Sequence, residues 1–111
     1  NNSRQVTKKT KPQIEYQVSI VSPMPEESIR DNSGNVSIRT SVSPKGVGKY
    51  QLIMDNQVVK TQSNSLFELE SVNRGAHLIQ IHFIDNSGKI LASTQQQTFY
   101  LHRVSVQSPA R

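Results

Sequence analysis

The feature that most limits the fold of this chain is the spacing of its apolar residues, which is two rather than 3.6. Within His77–Ile84, for example, Ile79, Ile81 and Phe83 share one parity. The runs with this alternation are Tyr16–Val21, Val36–Val42, Lys49–Asp55, Phe67–Glu70, His77–Ile84 and Gln97–His102. Successive side chains of a strand point to opposite faces, so the pattern predicts strands with one face on a core and one toward water. No window of helical length repeats its apolar residues at helical spacing, so no helix is predicted.

Turn-forming residues separate these runs. Ser22–Pro25 ends the first strand, because proline cannot donate to a ladder, and Asp31–Gly34 separates a short strand near Ser28–Arg30 from the next. Asp55-Asn56 predicts a tight hairpin, since both residue types tolerate positive φ. Seven or eight short strands with such turns predict an all-β fold, an antiparallel β-sandwich of the immunoglobulin or fibronectin type III kind. The chain has no Cys, so this sandwich has no disulfide.

The length of 111 residues fits one domain between two flanking segments. Leu, Ile, Val and Phe supply 29 of the 111 residues, about a quarter. This fraction is above the roughly 20% below which highly charged chains stay disordered. We expect residues 1–12 to form a flexible basic linker, 13–104 the sandwich and 105–111 a disordered tail. No apolar run approaches the ~20 residues of a membrane span, and no signal peptide is visible.

The net charge of +5 comes from the flanks. Between Gln13 and Val104 the chain has eight basic and eight acidic residues. A folded nucleic-acid-binding domain usually carries its excess charge on one face, so nucleic acid is disfavoured as a partner. Lys8, Lys9 and Lys11 form at most an electrostatic arm toward an anionic polymer or lipid.

Several turn and core segments resemble a bacterial immunoglobulin-like module. They are Ile20–Pro23, Ile29–Val36, Leu52–Val58, Val72–His77, Asp85–Lys89 and Thr98–Arg103. The chain is similar to the C-terminal sandwich of gammaproteobacterial envelope proteins that carry an N-terminal domain of unknown function. It resembles less closely the C-terminal module of some class A penicillin-binding proteins. The resemblance implies a periplasmic or envelope location in a Gram-negative bacterium, and it carries over no catalytic residue.

The three histidines do not predict a metal site. His77 and His82 are five positions apart, so they point to opposite faces of one strand. If the Asp85–Gly88 turn closes a hairpin, His82 should face Ala92, which leaves His102 far along the ladder. We therefore interpret His77 as a rim residue that fixes the turn after Gly75.

The repeated string Asp-Asn-Ser-Gly, at Asp31–Gly34 and Asp85–Gly88, offers oxygen ligands for calcium. Each loop has only one carboxylate, so turn formation is the favoured interpretation. The chain has no nucleophile elbow and no glycine-rich phosphate loop, so neither an enzyme nor a cofactor is predicted.

The outward side of the last strands offers a candidate surface. Gln80, His82, Gln97, Tyr100 and His102 are polar and almost uncharged, and together with Gln95 and Thr98 they predict a partner-binding face. The leading hypothesis is a non-catalytic interaction or spacer module of an envelope protein, whose partner is another envelope protein or a domain fused upstream. The alternative is an accessory domain for cell-wall glycan, for which Tyr16 and Tyr100 would form a two-tyrosine platform.

Overall fold

The computed structural model describes residues 14–104, in which nine β-strands form two packed sheets. The strands are β1 (Gln17–Ser22), β2 (Glu27–Arg30), β3 (Val36–Ser43), β4 (Lys49–Met54), β5 (Gln57–Gln62), β6 (Leu66–Leu69), β7 (Gly75–Ile84), β8 (Ile90–Ser93) and β9 (Gln97–His102). The predicted linker 1–12 and tail 105–111 lie outside the described residues. No helix in the described part of the chain is long and apolar enough to cross a membrane.

The smaller sheet has the order β1-β3-β6, and the larger has the order β2-β9-β7-β4-β5 with β8 also paired to β7. β2 runs parallel to β9, and every other pair is antiparallel. The predicted β-sandwich is confirmed. The structure has nine strands, one more than the seven or eight predicted. The additional strand is β8, which forms a hairpin with β7 and is followed by a short irregular segment before β9.

The core consists of the side chains at the inward-facing, alternate positions of the strands, as the alternation predicts. Its largest fully buried apolar side chains are Phe67, Phe83, Phe99, Ile38, Leu52, Ile79, Ile81 and Leu101. The inward residues of both sheets interdigitate, and burying each such side chain contributes about 1.5–3 kcal/mol.

The turns follow the sequence closely. Asp55 and Asn56 have φ values of 54° and 69°, which confirms the tight hairpin between β4 and β5. Asp31 accepts a hydrogen bond from Asn35 N at 2.7 Å, and Asp85 accepts from Ser87 N and Lys89 N at 2.9 Å each. Both Asp-Asn-Ser-Gly strings therefore form turns, as predicted, and backbone donors occupy their carboxylates.

The register of the β7–β8 hairpin differs from the prediction by one residue. His82 faces Ser93 rather than Ala92, because the register shifts between Phe83 and Ile84. A β-bulge adds one residue to one strand and moves every later partner by one position. The sequence around a turn does not reveal such an insertion.

The described chain enters and leaves the sandwich at opposite ends. Gln17 pairs with Ser43 beside the short connection to β4, whereas His102 pairs with Arg30 at the far end of the larger sheet. We call these two ends the entry end and the exit end.

A glycine at the entry end determines how closely β4 can approach β7. A Cβ on Gly48 would contact the carbonyl oxygen of Ile84 and lie 2.9 Å from the ring of Phe83. A Cβ on Gly46 would instead meet the end of the Tyr16 side chain, which can move. Alanine at Gly48 therefore meets backbone, and alanine at Gly46 meets only a side chain, so the second substitution is a control for the first.

We expect Gly48→Ala to lower the free energy of unfolding by about 1–3 kcal/mol, because a backbone carbonyl cannot yield without displacing the strand. Gly46→Ala should cost less. Urea unfolding of both variants measures the difference. Equal losses would show that the contact with Ile84 does not limit the packing of β4.

Candidate functional site

The outward face of the larger sheet carries a row of polar side chains across four strands. His82 on β7 faces Gln51 on β4 and Ser93 on β8, and Gln51 faces Thr61 on β5. Gln51 Nε2 donates to Thr61 Oγ1 at 3.2 Å, and His82 Nδ1 lies 3.4 Å from Gln51 Oε1. Burial lowers the pKa of His82, which favours its neutral form. We call these four residues the polar row.

Gln80 lies next to the polar row on the same face, because it is two positions from His82 and opposite Ile53. Its Nε2 donates to the carbonyl oxygen of Thr94 at 2.8 Å, where the chain passes from β8 to β9. Gln80 therefore stabilises the connection between β8 and β9 and also contributes to the outward surface.

Tyr100 and His102 lie on the same face but at the exit end. Tyr100 faces Ser28 and Ala76, and its hydroxyl donates to Glu26 Oε1 at 2.9 Å. This hydrogen bond and the charge of Glu26 raise the pKa of Tyr100. His82 is six residues along β7 from Ala76, which is about 20 Å of strand. The predicted face is thus divided into two parts.

Two expectations about this face are wrong. Gln97 pairs with Ile79, so it has the inward parity, and its Nε2 donates to the carbonyl oxygen of Pro23 at 2.8 Å. Tyr16 packs against the ring of Phe83 at the entry end, with a centroid distance of 5.2 Å. Tyr16 and Tyr100 therefore cannot form one platform.

A pocket of about 530 Å³ lies at the exit end, beside Tyr100 and His102. It is lined by Arg30, Arg74, Gly75 and the stretch Tyr100–Val104, which includes Arg103. We call it the arginine pocket. Neither Arg30 nor Arg74 belonged to the predicted face, so sequence reasoning missed the cationic part of this surface.

Strand register brings the cationic residues together. Arg30 on β2 and His102 on β9 are direct partners in the parallel pair. Leu101 faces Gly75, so Arg74, the residue before Gly75, continues the row on the other side of His102. The sequence signal was weak, since Arg30 ends a short strand, Arg74 precedes another, and nothing in the sequence predicts that β2 pairs with β9.

Arg103 holds the exit end together. Its Nε donates to the carbonyl oxygen of Asn32 at 3.1 Å, and its NH1 group donates to the carbonyl oxygen of Val72 at 2.9 Å. Val72 N in turn donates to the carbonyl oxygen of Gly34 at 2.9 Å. The guanidinium of Arg103 thus ties two loops to the end of β9.

Within residues 14–104 one ion pair is formed, between His77 and Asp55. Arg30 and Arg74 make no side-chain hydrogen bond or ion pair with any residue in this range. The same range contains no group of three or more His, Cys, Asp or Glu side chains that could hold a metal ion. The arginine pocket is therefore a concentration of positive charge that the described chain leaves unneutralised.

His77 fixes the loop that precedes β7. Its Nδ1 lies 2.7 Å from Asp55 Oδ2 and its Nε2 lies 2.6 Å from the carbonyl oxygen of Asn73, so both ring nitrogens donate when the imidazole is protonated. The contact with Asn73 lies before Gly75, whereas the sequence predicted the turn after it. Through Asn73, His77 also holds the backbone next to Arg74.

Opposing effects determine the pKa of His77 and that of Asp55. Burial alone would lower the pKa of His77, but the hydrogen bond to Asn73 and the hydrogen bond and charge of Asp55 raise it. Burial alone would raise the pKa of Asp55, but hydrogen bonds from Leu78 N and His77, with the charge of His77, lower it. The folded state thus favours the charged form of each partner.

Comparison with solved structures identifies the architecture. The chain is similar to a fibronectin(III)-like module of CbhA from Clostridium thermocellum, with a TM-score of 0.66 and 14% sequence identity over 80% of this chain and 99% of that chain. The domain has a fibronectin type III-like fold.

This fibronectin-like domain is also similar to part of SGBP-B, from the mixed-linkage glucan utilization locus of Bacteroides ovatus, whose structure contains a mixed-linkage heptasaccharide. The TM-score is 0.56 and the identity 19%, over 79% of this chain and 24% of that chain. Likeness at this level of identity concerns the fold alone. The sequence matches no protein-family model and no curated protein.

The ion pair between His77 and Asp55 generates a prediction about pH. A histidine whose folded-state pKa is raised stabilises the fold fully below the unfolded value, near 6.5. That contribution is lost as pH rises through the folded-state pKa. We expect the free energy of unfolding to fall as pH rises above 6.5, and His77→Gln should remove this part of the dependence. Urea unfolding at several pH values between 5.5 and 8.5 measures it.

His82→Gln is the matched control. Burial lowers the pKa of His82, so the titration of His82 makes the free energy of unfolding rise with pH, which is opposite in sign to the contribution of His77. This variant should keep the loss of stability above pH 6.5. If His77→Gln and wild type show the same dependence on pH, the ion pair does not contribute as the geometry indicates.

Proposed function

We propose that this domain is a non-catalytic interaction or spacer module of a bacterial cell-envelope protein. The fold supports this proposal, since fibronectin type III-like sandwiches present loops and sheet faces on a rigid scaffold. The location rests on the resemblance of the turn and core segments to modules of Gram-negative envelope proteins. The opposite positions of Gln17 and His102 suit a module that holds two flanking segments apart.

The observation that carries the interaction role is the polar row. Thr61, Gln51, His82 and Ser93 extend across four strands and present amide, hydroxyl and imidazole groups without a formal acid or a lysine among them. Such a surface offers many hydrogen bonds at a modest desolvation cost, which is typical of transient protein interfaces. β5 forms an edge of the larger sheet beside this row, and an edge strand offers unpaired backbone groups to a partner.

An accessory domain for cell-wall glycan is the second candidate. The observation that favours it is Tyr100 in the wall of the arginine pocket, since a tyrosine ring beside charged groups can pack against a sugar. The electrostatic arm of Lys8, Lys9 and Lys11 lies outside the described residues and stays a prediction.

The interaction role predicts that acidic residues placed in the polar row will abolish capture of a partner. In a cross-linked pull-down from Gram-negative envelope extract, we expect the double variant Thr61→Glu, Ser93→Glu to recover at least about tenfold less partner protein than the wild-type domain. The reason is that like charges or unpaired carboxylates oppose docking. The control is Ser19→Glu, Ser43→Glu, which places the same charges on exposed positions of the smaller sheet. Mass spectrometry quantifies the recovered protein.

Equal recovery by both variants would contradict the polar row as the binding surface. If the wild-type domain captures nothing specifically, the interaction role is wrong and the spacer role alone is retained.

A further inference from the structure

We propose that the arginine pocket binds a saccharide that carries an anionic group, a carboxylate or a phosphate. In this arrangement Arg30 and Arg74 hold the anion, and the ring of Tyr100 packs against the sugar. The inference goes beyond the interaction or spacer role, which needs no small-molecule site, and it deepens the glycan-binding candidate by naming the charged group of the sugar and the residues that hold it. It also concerns a different surface from the polar row, so either can fail without the other.

The register of three strands builds the anion site. Arg30 pairs with His102 from β2 on one side of β9, and Arg74, which directly precedes β7 on the other side, lines the same pocket. A guanidinium presents N–H donors in a planar fork that matches the paired oxygens of a carboxylate or phosphate. Two such forks across one sheet can hold a single anion from both sides.

The charge of this site is uncompensated within the described chain. The residues that line the pocket include three arginines and no acid, and the ion pair among residues 14–104 is elsewhere. Two acids lie next to lining residues: Glu26 accepts the hydroxyl hydrogen bond of Tyr100 at 2.9 Å, and Asp31, which follows Arg30, accepts from Asn35 N at 2.7 Å. Glu26 N donates to the carbonyl oxygen of Thr98, so the backbone of Glu26 lies beside the beginning of β9, whereas His102 is at its end.

The backbone that leads into Arg74 is held at two successive carbonyl groups before any ligand arrives. The carbonyl oxygen of Asn73 accepts from His77 Nε2 at 2.6 Å, and the carbonyl oxygen of Val72 accepts from the Arg103 NH1 group at 2.9 Å. A site whose loop is already fixed loses less conformational entropy on binding. The contacts therefore favour a preformed site over a surface that must order itself.

The pocket is larger than an inorganic anion requires, and it has an aromatic wall. A volume of about 530 Å³ lies within the range of small-molecule sites, roughly 300–1,000 Å³. Tyr100 lies beside Ala76, whose side chain is a single methyl group, and Gly75 adds no side chain to the lining. These features favour a ligand with a ring attached to the anion.

The experiment is a titration of the full chain, followed through the backbone amide NMR signals of Gly75, Ala76 and His102 in buffer at physiological ionic strength. The probes are trigalacturonic acid, glucosamine 6-phosphate, inorganic phosphate and a neutral galactose trisaccharide. We expect at least one charged sugar to bind with a Kd on the order of 1 mM or tighter, and the neutral sugar to bind much more weakly. Which charged probe binds distinguishes the carboxylate from the phosphate source.

Two sets of variants assign the binding to the pocket. Arg30→Gln, Arg74→Gln should weaken binding at least about tenfold, whereas Lys45→Gln, Lys49→Gln, which removes the same charge at the entry end, should change it little. Tyr100→Ala should weaken binding of the charged sugar, and Tyr100→Phe, which keeps the ring, should retain most of it. Replacing Lys8, Lys9 and Lys11 by glutamine controls for the basic arm.

The proposal is overturned if no charged sugar shifts the pocket amides, or if the two arginine replacements weaken binding no more than the two lysine replacements. Loss of binding in the Lys8, Lys9 and Lys11 variant alone would assign it to the arm and also overturn the proposal. If inorganic phosphate binds as tightly as the charged sugars and Tyr100→Ala has no effect, the saccharide part is wrong.

Discussion

The fold depends on the burial of apolar side chains between two sheets, because no disulfide joins them. Phe67 on the smaller sheet and Phe83 and Phe99 on the larger sheet are fully buried, and aliphatic residues of the same inward parity surround them. A strand that directs one parity inward must direct the other outward. The outer surface, including the polar row and Tyr100, is therefore positioned by the same packing that forms the core.

The crossover between β1 and β2 brings together two of the strands that form the arginine pocket. β1 pairs within the smaller sheet, and after the Ser22–Glu26 segment the chain joins the larger sheet as β2, parallel to β9. Pro23 is fully buried there and Glu26 has a φ of 66°, so the segment bends sharply before β2 begins. This crossover places Arg30 beside His102, and without it the arginine pocket would lack one of its walls.

The exit end is also where side chains replace regular strand pairing as the means of holding the backbone. His77 joins the β4–β5 turn to Asn73, and Arg103 joins the loop at Asn32 to Val72. Both connect segments far apart in sequence, and both end on the loop that carries Arg74. The charged side chains that stabilise this end thus also position the arginines that the pocket presents to solvent.

The sequence by itself determined the fold class, most strand positions, the inward parity and the turns, because each depends on neighbours within a few residues. The alternation in His77–Ile84 and the Asp55-Asn56 pair are examples. It could not reveal the bulge that makes Ser93, rather than Ala92, the cross-strand partner of His82. It also misplaced Gln97 on the outward face.

Only the tertiary structure decided which outward residues meet. Arg30 and His102 come from two strands and Arg74 from the loop that precedes β7, and their proximity depends on the order and register of β2, β9 and β7. Strand order results from packing over the whole chain, in which many pairings satisfy the same local alternation. For that reason the sequence predicted the polar character of this surface, and the folded chain determined where its positive charge lies.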